Sequence, residues 1–356
     1  MIGAPAGSAG PHRFGAVPAA PAALLACIPL LLWTLPLSAQ DAGTAALPTP
    51  PAHVRILFFN ANNYRPSPDG RFKAKDSMQA VADTLRDLRP DIAILAEIAD
   101  TEALADLLER MGEDASSSYT YRHLVEASDT SRRLAVLARR EPLDQKHDTE
   151  ASYTIKDTRV PVRRGFAHCV FGWNNGYRLH VLGAHLKSKV YHHLGQTDMR
   201  RYEARQLRYR VNDILEANPE ANVLVLGDMN DSPQSSPIKT IIYRRFGTEK
   251  ELFDLRPADE RQMLWTHYWD EEDLYARIDY AFATYHLLPE IVFDETVVAD
   301  LPYWRTASDH RPVLVTLKPE NAEPSRHIMD MFYRNFRSHP FREHRDADGP
   351  IAPQAR

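Results

Sequence analysis

The sequence predicts an α/β domain, on two observations: apolar runs of strand length recur along the chain, and segments with apolar residues at helical spacing lie between them. Residues 54–59 read as the first strand. Met78, Val81, Leu85 and Leu88 follow at helical spacing, and Arg89-Pro90 ends that helix, because a residue before proline is pushed out of the helical region. Ile92, Ala93, Ile94 and Leu95 form a continuous apolar run, as expected of a strand covered on both faces. Further strands are expected at 134–137, 166–171, 179–184, 223–226, 278–283 and 313–317. A helix over 198–217 sets Ala204, Leu207, Val211, Ile214 and Leu215 on one face. So many buried-type strands with helices between them suggest two stacked sheets covered by helices.

The ends of the chain read differently. Residues 1–39 have the layout of a secretory signal: Arg13 as the only charge, an apolar stretch from Ala22 to Leu37, and a small residue, Ala39, at the cut. The stretch is short beside the ~20 apolar residues of a membrane span, and Pro29 and Pro36 break it, although an uncleaved anchor is the alternative. Cys27 follows Leu24-Leu25-Ala26, but the apolar stretch runs on past it, which argues against lipidation. Export to the periplasm or medium is therefore expected. Residues 40–53 read as a flexible lead-in, 54–319 as the domain, and 320–356, rich in Arg, His and Pro, as a loosely attached tail.

Removing the first 39 residues takes away Arg13 and no acid, so the net charge of −5 becomes −6. Such a chain is not held on nucleic acid by bulk electrostatics, but a local basic rim and bound metal can still attract a polyanion. Cys169 would be the only remaining cysteine, so stability rests on ordinary burial, for which the chain is long enough.

Polar residues stand where the apolar runs stop. Asn60 ends the first strand, Glu97 the second, and His185 lies in Gly183-Ala184-His185-Leu186-Lys187-Ser188-Lys189. Asp228 and Asn230 form Gly227-Asp228-Met229-Asn230, Asp279 lies in Arg277-Ile278-Asp279-Tyr280, and Asp309 and His310 in Ser308-Asp309-His310. Singly, each is an ordinary cap, turn or structural histidine. In this order, with Trp265-Thr266-His267-Tyr268 ahead of Arg277, the series resembles the signature of the endonuclease/exonuclease/phosphatase superfamily over roughly residues 54–317.

That resemblance implies a four-layer α/β sandwich of the pancreatic-deoxyribonuclease type, with two packed mixed sheets flanked by helices. It implies Mg2+-dependent hydrolysis of phosphoesters, with Mn2+ or Ca2+ as other candidate ions. Glu97 would be the principal metal ligand, with Asn60 and Asp309 nearby. His310 would activate water, oriented by Asp279; Asp228 and Asn230 would position water and phosphate; His185 would bond a phosphoryl oxygen or assist the leaving group. Whether His310 or Asp228 is the base stays open. The chemistry suits these residues, since a hard cation on oxygen ligands neutralises the phosphoryl charge that repels a nucleophile.

The substrate expected first is nucleic acid, then a lipid head group, an inositol phosphate or a nucleotide; a non-catalytic domain ranks last because nothing in the series is missing. A monomer without a protein partner is expected. No exposed aromatic hairpin for membrane docking is legible. Arg200 either reaches the phosphate or lays its stem over the core, and Arg201, Arg205 and Arg208 line a flank that is a solvated face or a guide for polyanions. Tyr303 and Trp304 suit base stacking and core packing equally. Asn62 stands where related bacterial sequences often carry glutamate, which leaves the local hydrogen bonding open.

Overall fold

The computed structural model describes residues 47–67, 72–242 and 250–325. The segment read as a signal, residues 40–46 of the lead-in and the tail from 326 lie outside the described residues.

Two six-stranded sheets form the centre. Across the first, the strands run Val297–Val298, Val313–Leu317, Val54–Tyr64, Ile92–Ile98, Arg133–Ala138, Tyr121–Val125. Across the second they run Leu252–Asp254, Asp279–Thr284, Asn222–Asp228, Arg178–His185, Phe166–Gly172, Asp144–Gln145. Each sheet has one parallel pair in its middle, and its other pairings are antiparallel. A parallel pair needs a crossover. Helix Lys75–Leu88 supplies it in the first sheet and helix Gln196–Ala217 in the second.

Strand alternation divides the apolar residues among three cores. Ile56, Phe58, Ile94 and Val315 meet Ala167, Val181, Leu224 and Ala281 between the sheets. On the other face, Leu57, Phe59, Ala93 and Leu95 meet Val81 and Leu85, together with Leu104 and Leu107 of helix Thr101–Met111. Leu182, Val223 and Val225 meet Ala204, Leu207, Val211 and Leu215 beneath the long helix, with Ile214 half-buried against them. The order helix, sheet, sheet, helix is the four-layer α/β sandwich, and it explains the unbroken apolar runs of the central strands.

Two glycines permit close approaches, one between the sheets and one between neighbouring strands of the second sheet. A Cβ on Gly183 would lie 2.6 Å from Cγ2 of Ile94 across the sheet interface, and one on Gly227 would lie 2.2 Å from the carbonyl oxygen of Ala184. Each stands just ahead of a residue of the polar series, His185 and Asp228.

Several elements were not foreseen. Helix Thr101–Met111 begins where the Asp100 side chain accepts from the Ala103 N–H at 2.8 Å, an N-cap that meets one of the helix's unpaired donors. The hairpin Ser152–Ile155 with Thr158–Pro161, and the edge strands Asp144–Gln145, Leu252–Asp254 and Val297–Val298, are too short to show alternation. The first strand runs on to Tyr64, past its expected end at 59, through an irregularity between Asn60 and Tyr64. The lead-in and the tail are also tied where they meet the domain. Asn174 donates to Pro48 O and Thr49 Oγ1, Asn175 donates to Pro319 O, and the Ala322 N–H donates to Glu290.

Candidate active site

Register places the polar series. His185 pairs with Asp228, and Asp228 with Asp279, so three neighbouring strands of the second sheet carry these groups in one row. The first sheet brings Asn60, which pairs with Ala96, and Glu97 one residue further on. Here both sheet-one strands leave regular geometry: Asn62, Asn63 and Glu97 have φ of 46°, 53° and 64°. Asparagine tolerates this left-handed conformation, whereas glutamate does so at a cost. That favours asparagine at position 62, and it makes Glu97 a strained residue of the kind that collects at functional sites.

Hydrogen bonds join the two sheets. His310 Nδ1 lies 2.8 Å from Asp279 Oδ2. The Asn60 amide donates to Asp228 Oδ2 at 3.1 Å and sits 3.4 Å from His310 Nε2, while its oxygen accepts the Asn62 N–H. His185 Nε2 stands 3.6 Å from Asp228 Oδ2 and 3.8 Å from Glu97 Oε1. Asp228 Oδ1 accepts the Asn230 N–H, and the Asn230 amide donates to Leu186 O. Asn230 thus ties the aspartate loop to the histidine strand.

Supporting residues fix these groups. Thr266 Oγ1 accepts the N–H groups of Ile278 and Asp279, which gives the Trp265-Thr266 motif a physical task. Ser308 Oγ lies 2.7 Å from Asn60 O and accepts the His310 N–H. Buried Arg311 donates to Asp259 and Trp265 O, with its guanidinium 3.4 Å from the Trp265 ring centroid.

Charge is concentrated here. Burial alone would push the His310 imidazole down, but Asp279, Asp228 and Asp309 hold it up at about 10. Burial, reinforced by Asp279, raises Asp228 to about 7. Burial would raise Asp309 too, yet His267 and His310 bring it down to about 2. His185 is held well below the ordinary range by burial and then by the Arg164, His310 and Arg132 charges, so its ring is neutral.

Asp228, Asp279 and His310 each place a ligand atom within 4.8 Å of the others, and so do His267, Asp309 and His310. Glu97 belongs to neither of these groups, which are made of histidine and aspartate. The buried Lys73 ammonium donates to Asn62 O at 3.2 Å and feels the charges of both Asp309 and Glu97; burial lowers it to about 8 against their pull. Buried Asp279 Oδ1 and His185 Nδ1 have no hydrogen-bond partner. Carboxylate oxygens backed by imidazole, with buried polar atoms left over, fit a hard divalent cation.

A sequence profile described as the Endonuclease/Exonuclease/phosphatase family matches residues 57–310, from the first strand to the histidine of Ser-Asp-His. The chain belongs to that family. Its chemistry is the hydrolysis of phosphoester bonds. No curated protein matches the chain by sequence. Among solved structures, an endonuclease/exonuclease/phosphatase from Bacteroides vulgatus is 18% identical, with a TM-score of 0.53 over 76% of this chain and 100% of that one. TDP2 of D. rerio, complexed with a single-strand DNA product, is 17% identical with a TM-score of 0.52, covering 75% and 99%. A family protein from Leptotrichia buccalis is 15% identical with a TM-score of 0.51, over 74% and 99%. At these identities the likeness is one of fold.

For this family member, other sequence expectations resolve as follows. Arg200 is buried and clamps loops together, donating to Asp231 at 2.8 Å and to Lys187 O and Ser188 O. Arg208 is buried too, bonded to Asn212 and to the carbonyls of Ile241 and Lys250. Arg201 and Arg205 stay on the solvated face beside Tyr202. Tyr303 donates to Asp87, and Trp304 packs edge-on against Trp265.

One expectation is overturned. An aromatic hairpin does stand beside the site: His267–Trp269 pairs with Leu274–Ala276, Trp269, Leu274 and Tyr275 are exposed, and the Tyr268 N–H donates to Asp309 O. Each of its strands is three residues long, so alternation could not reveal it. Sequence reasoning also missed Lys73, Arg132 and Arg164 near the polar series. They lie off the strand ends that directed the search, in irregular segments where lysine and arginine carry no pattern.

Proposed function

We propose that this chain is an exported Mg2+-dependent phosphodiesterase of nuclease type. The observation that carries the reading is the row His185, Asp228, Asp279, joined through the 2.8 Å pair of Asp279 and His310 to Asn60 of the other sheet. Glu97, Asp309 and Asn60 would hold the cation, which would neutralise phosphoryl charge and polarise phosphorus; Mn2+ or Ca2+ would satisfy the same oxygens.

The remaining chemistry belongs to the chain. Asp279 takes the His310 Nδ1 proton as a hydrogen bond and so aims Nε2 into the site. The carboxylates around His310 favour its imidazolium form, which suits it to stabilise a phosphoryl oxygen. Between the two candidate bases the surroundings favour Asp228, whose buried carboxylate stands beside His185 and His310 and is raised into the range where a base is effective. Neutral His185, whose Nε2 faces Asp228 and Glu97, is placed to bond a phosphoryl or leaving-group oxygen. Residues 1–39 support export, and the single-strand DNA product held by D. rerio TDP2 favours nucleic acid as substrate.

The exposed hairpin favours a second reading, in which the phosphoester is a lipid head group and Trp269, Leu274 and Tyr275 dock on the bilayer. Its turn carries Asp270, Glu271, Glu272 and Asp273, so an anionic membrane is disfavoured and a zwitterionic one remains.

The test is hydrolysis by the chain from Gln40 onward of supercoiled DNA, an RNA oligomer, zwitterionic lipid vesicles and bis-p-nitrophenyl phosphate, with Mg2+ or EDTA, beside Glu97→Ala. Metal-dependent nicking that Glu97→Ala abolishes is expected. Activity that survives both EDTA and the substitution would sink the metal-centred reading, and turnover of vesicles alone would select the lipid.

A further inference from the structure

The molecule is acidic overall, yet cations gather on one side of His185. Arg132 Nε donates to Asn63 Oδ1 at 2.7 Å and lies 3.5 Å from Glu97. Arg163 and Arg164 both lean on a single oxygen, Asp129 Oδ2, at 3.3 and 3.2 Å. The other oxygen of Asp129 is committed to the Ser131 and Arg132 N–H groups and the Ser131 hydroxyl. One carboxylate thus serves two guanidiniums. Arg164 is 5% exposed, and its buried Nη1 has no hydrogen-bond partner. An unpartnered buried guanidinium nitrogen costs free energy unless something fills its direction.

The rim continues along the chain. Lys187, two residues after His185, gives its ammonium to three neutral acceptors, Ser188 O, Ser188 Oγ and Val190 O, and so orders its loop. Arg200 holds the same loop from beneath. The loop tip then presents Lys189 and Tyr191, the latter 81% exposed. The charges of Arg164 and Arg132 reach His185, and those of Arg163 and Arg164 reach Lys187, so one field spans the set.

We propose that Arg163, Arg164, Arg132 and Lys187 form a second phosphate subsite, which holds the phosphodiester next to the scissile one in a single polynucleotide strand. Guanidinium forks match phosphate oxygens, and Tyr191 offers a face on which a base stacks. The inference rests on the phosphodiesterase reading and narrows it, because a chain of diesters fills both subsites and a lone diester fills only one.

The experiment compares kcat/KM for a single-stranded DNA oligonucleotide with that for bis-p-nitrophenyl phosphate, in the parent, in Arg163→Glu and in Arg201→Glu. Arg163 is exposed, so its exchange spares the core, and melting curves check this. In Arg163→Glu the oligonucleotide-to-diester ratio is expected to fall about tenfold, a typical charge-assisted contact. The salt slope should flatten by about one counterion. Arg201→Glu makes the same charge change on the solvated helix face and should leave the ratio as it is. A neutral methylphosphonate beside the scissile bond should lower the parent's rate and add nothing to the Arg163→Glu loss. An unchanged ratio in Arg163→Glu, or an equal fall in Arg201→Glu, overturns the subsite. A parent that hydrolyses the small diester but not the oligonucleotide overturns it while sparing the phosphodiesterase reading; a parent inert on both overturns the two together.

Discussion

The pair of Asp279 and His310 decides how the imidazole is used. Asp279 is buried, its backbone N–H is held by Thr266 Oγ1, and its Oδ2 meets His310 Nδ1 at 2.8 Å. Asp279→Asn keeps the shape and removes the charge. Its kcat on bis-p-nitrophenyl phosphate is expected to fall about 10²- to 10³-fold, within the usual span for a mispositioned acid–base group. The pH profile gives the sign. A neighbouring carboxylate favours the charged imidazole and raises its pKa, so removing it must lower that pKa. The alkaline limb of kcat/KM should therefore move to lower pH, and a limb that stays in place would detach it from His310. Asn60, Glu97, His185, Asp228, Asp279, Asp309 and His310 were legible because each interrupts or borders an apolar run, where polarity is conspicuous, and because together they follow a family motif order. Lys73 and Arg164 were not, because a lysine or arginine in a loop is unremarkable until folding places it beside Glu97 or His185.

At the scale of the element, the long helix Gln196–Ala217 was legible from Ala204, Leu207, Val211 and Leu215, yet its buried charges were not. Arg200, Glu203 and Arg208 share its inner side, and apolar spacing is blind to them. The same limit applies to the sheets. Their central strands were found because burial on both faces leaves continuous apolar runs, whereas two- and three-residue edge strands leave no pattern. Glu203 allows a direct test. Its Oε2 accepts the Lys187 N–H at 2.6 Å, and burial raises its pKa from 4.5 to about 7 although Arg164, Lys187 and Arg200 oppose the rise. The folded chain therefore binds this proton more tightly than the unfolded one. Between about pH 4.5 and 7 the Glu203 contribution to stability falls as pH rises, and above 7 the ionised form is a cost on the order of 3 kcal/mol. Glu203→Gln keeps an acceptor for Lys187 and drops the ionisation. Its melting temperature relative to the parent should be higher at pH 8 than at pH 5; a difference that does not change with pH would show that burial does not hold the proton there.

For the whole molecule, the row of carboxylates across two sheets couples the site to stability. Glu97 and Asn60 come from the first sheet, Asp228 and Asp279 from the second, and Asp309 and His310 from the loop into Val313–Leu317, so an ion bound among them bridges both halves of the sandwich. Without a cation, burial first and then the neighbouring Asp279 charge raise Asp228. The unfolded chain cannot gather these oxygens, so a cation that binds only the folded state stabilises it by about 2.7 kcal/mol at a hundred times its dissociation constant. For a domain of this size that corresponds to a rise of roughly 5 °C or more in Tm. Calorimetry at pH 7.5 should show this rise with Mg2+ over EDTA, and Glu97→Ala should lose most of it. Arg201→Glu, on the exposed flank of the long helix, should keep all of it. If the parent melts at one temperature in Mg2+ and EDTA alike, the polar row is held by His310, Asn60 and Lys73 without an ion, and the cation would have to enter with the substrate's phosphate.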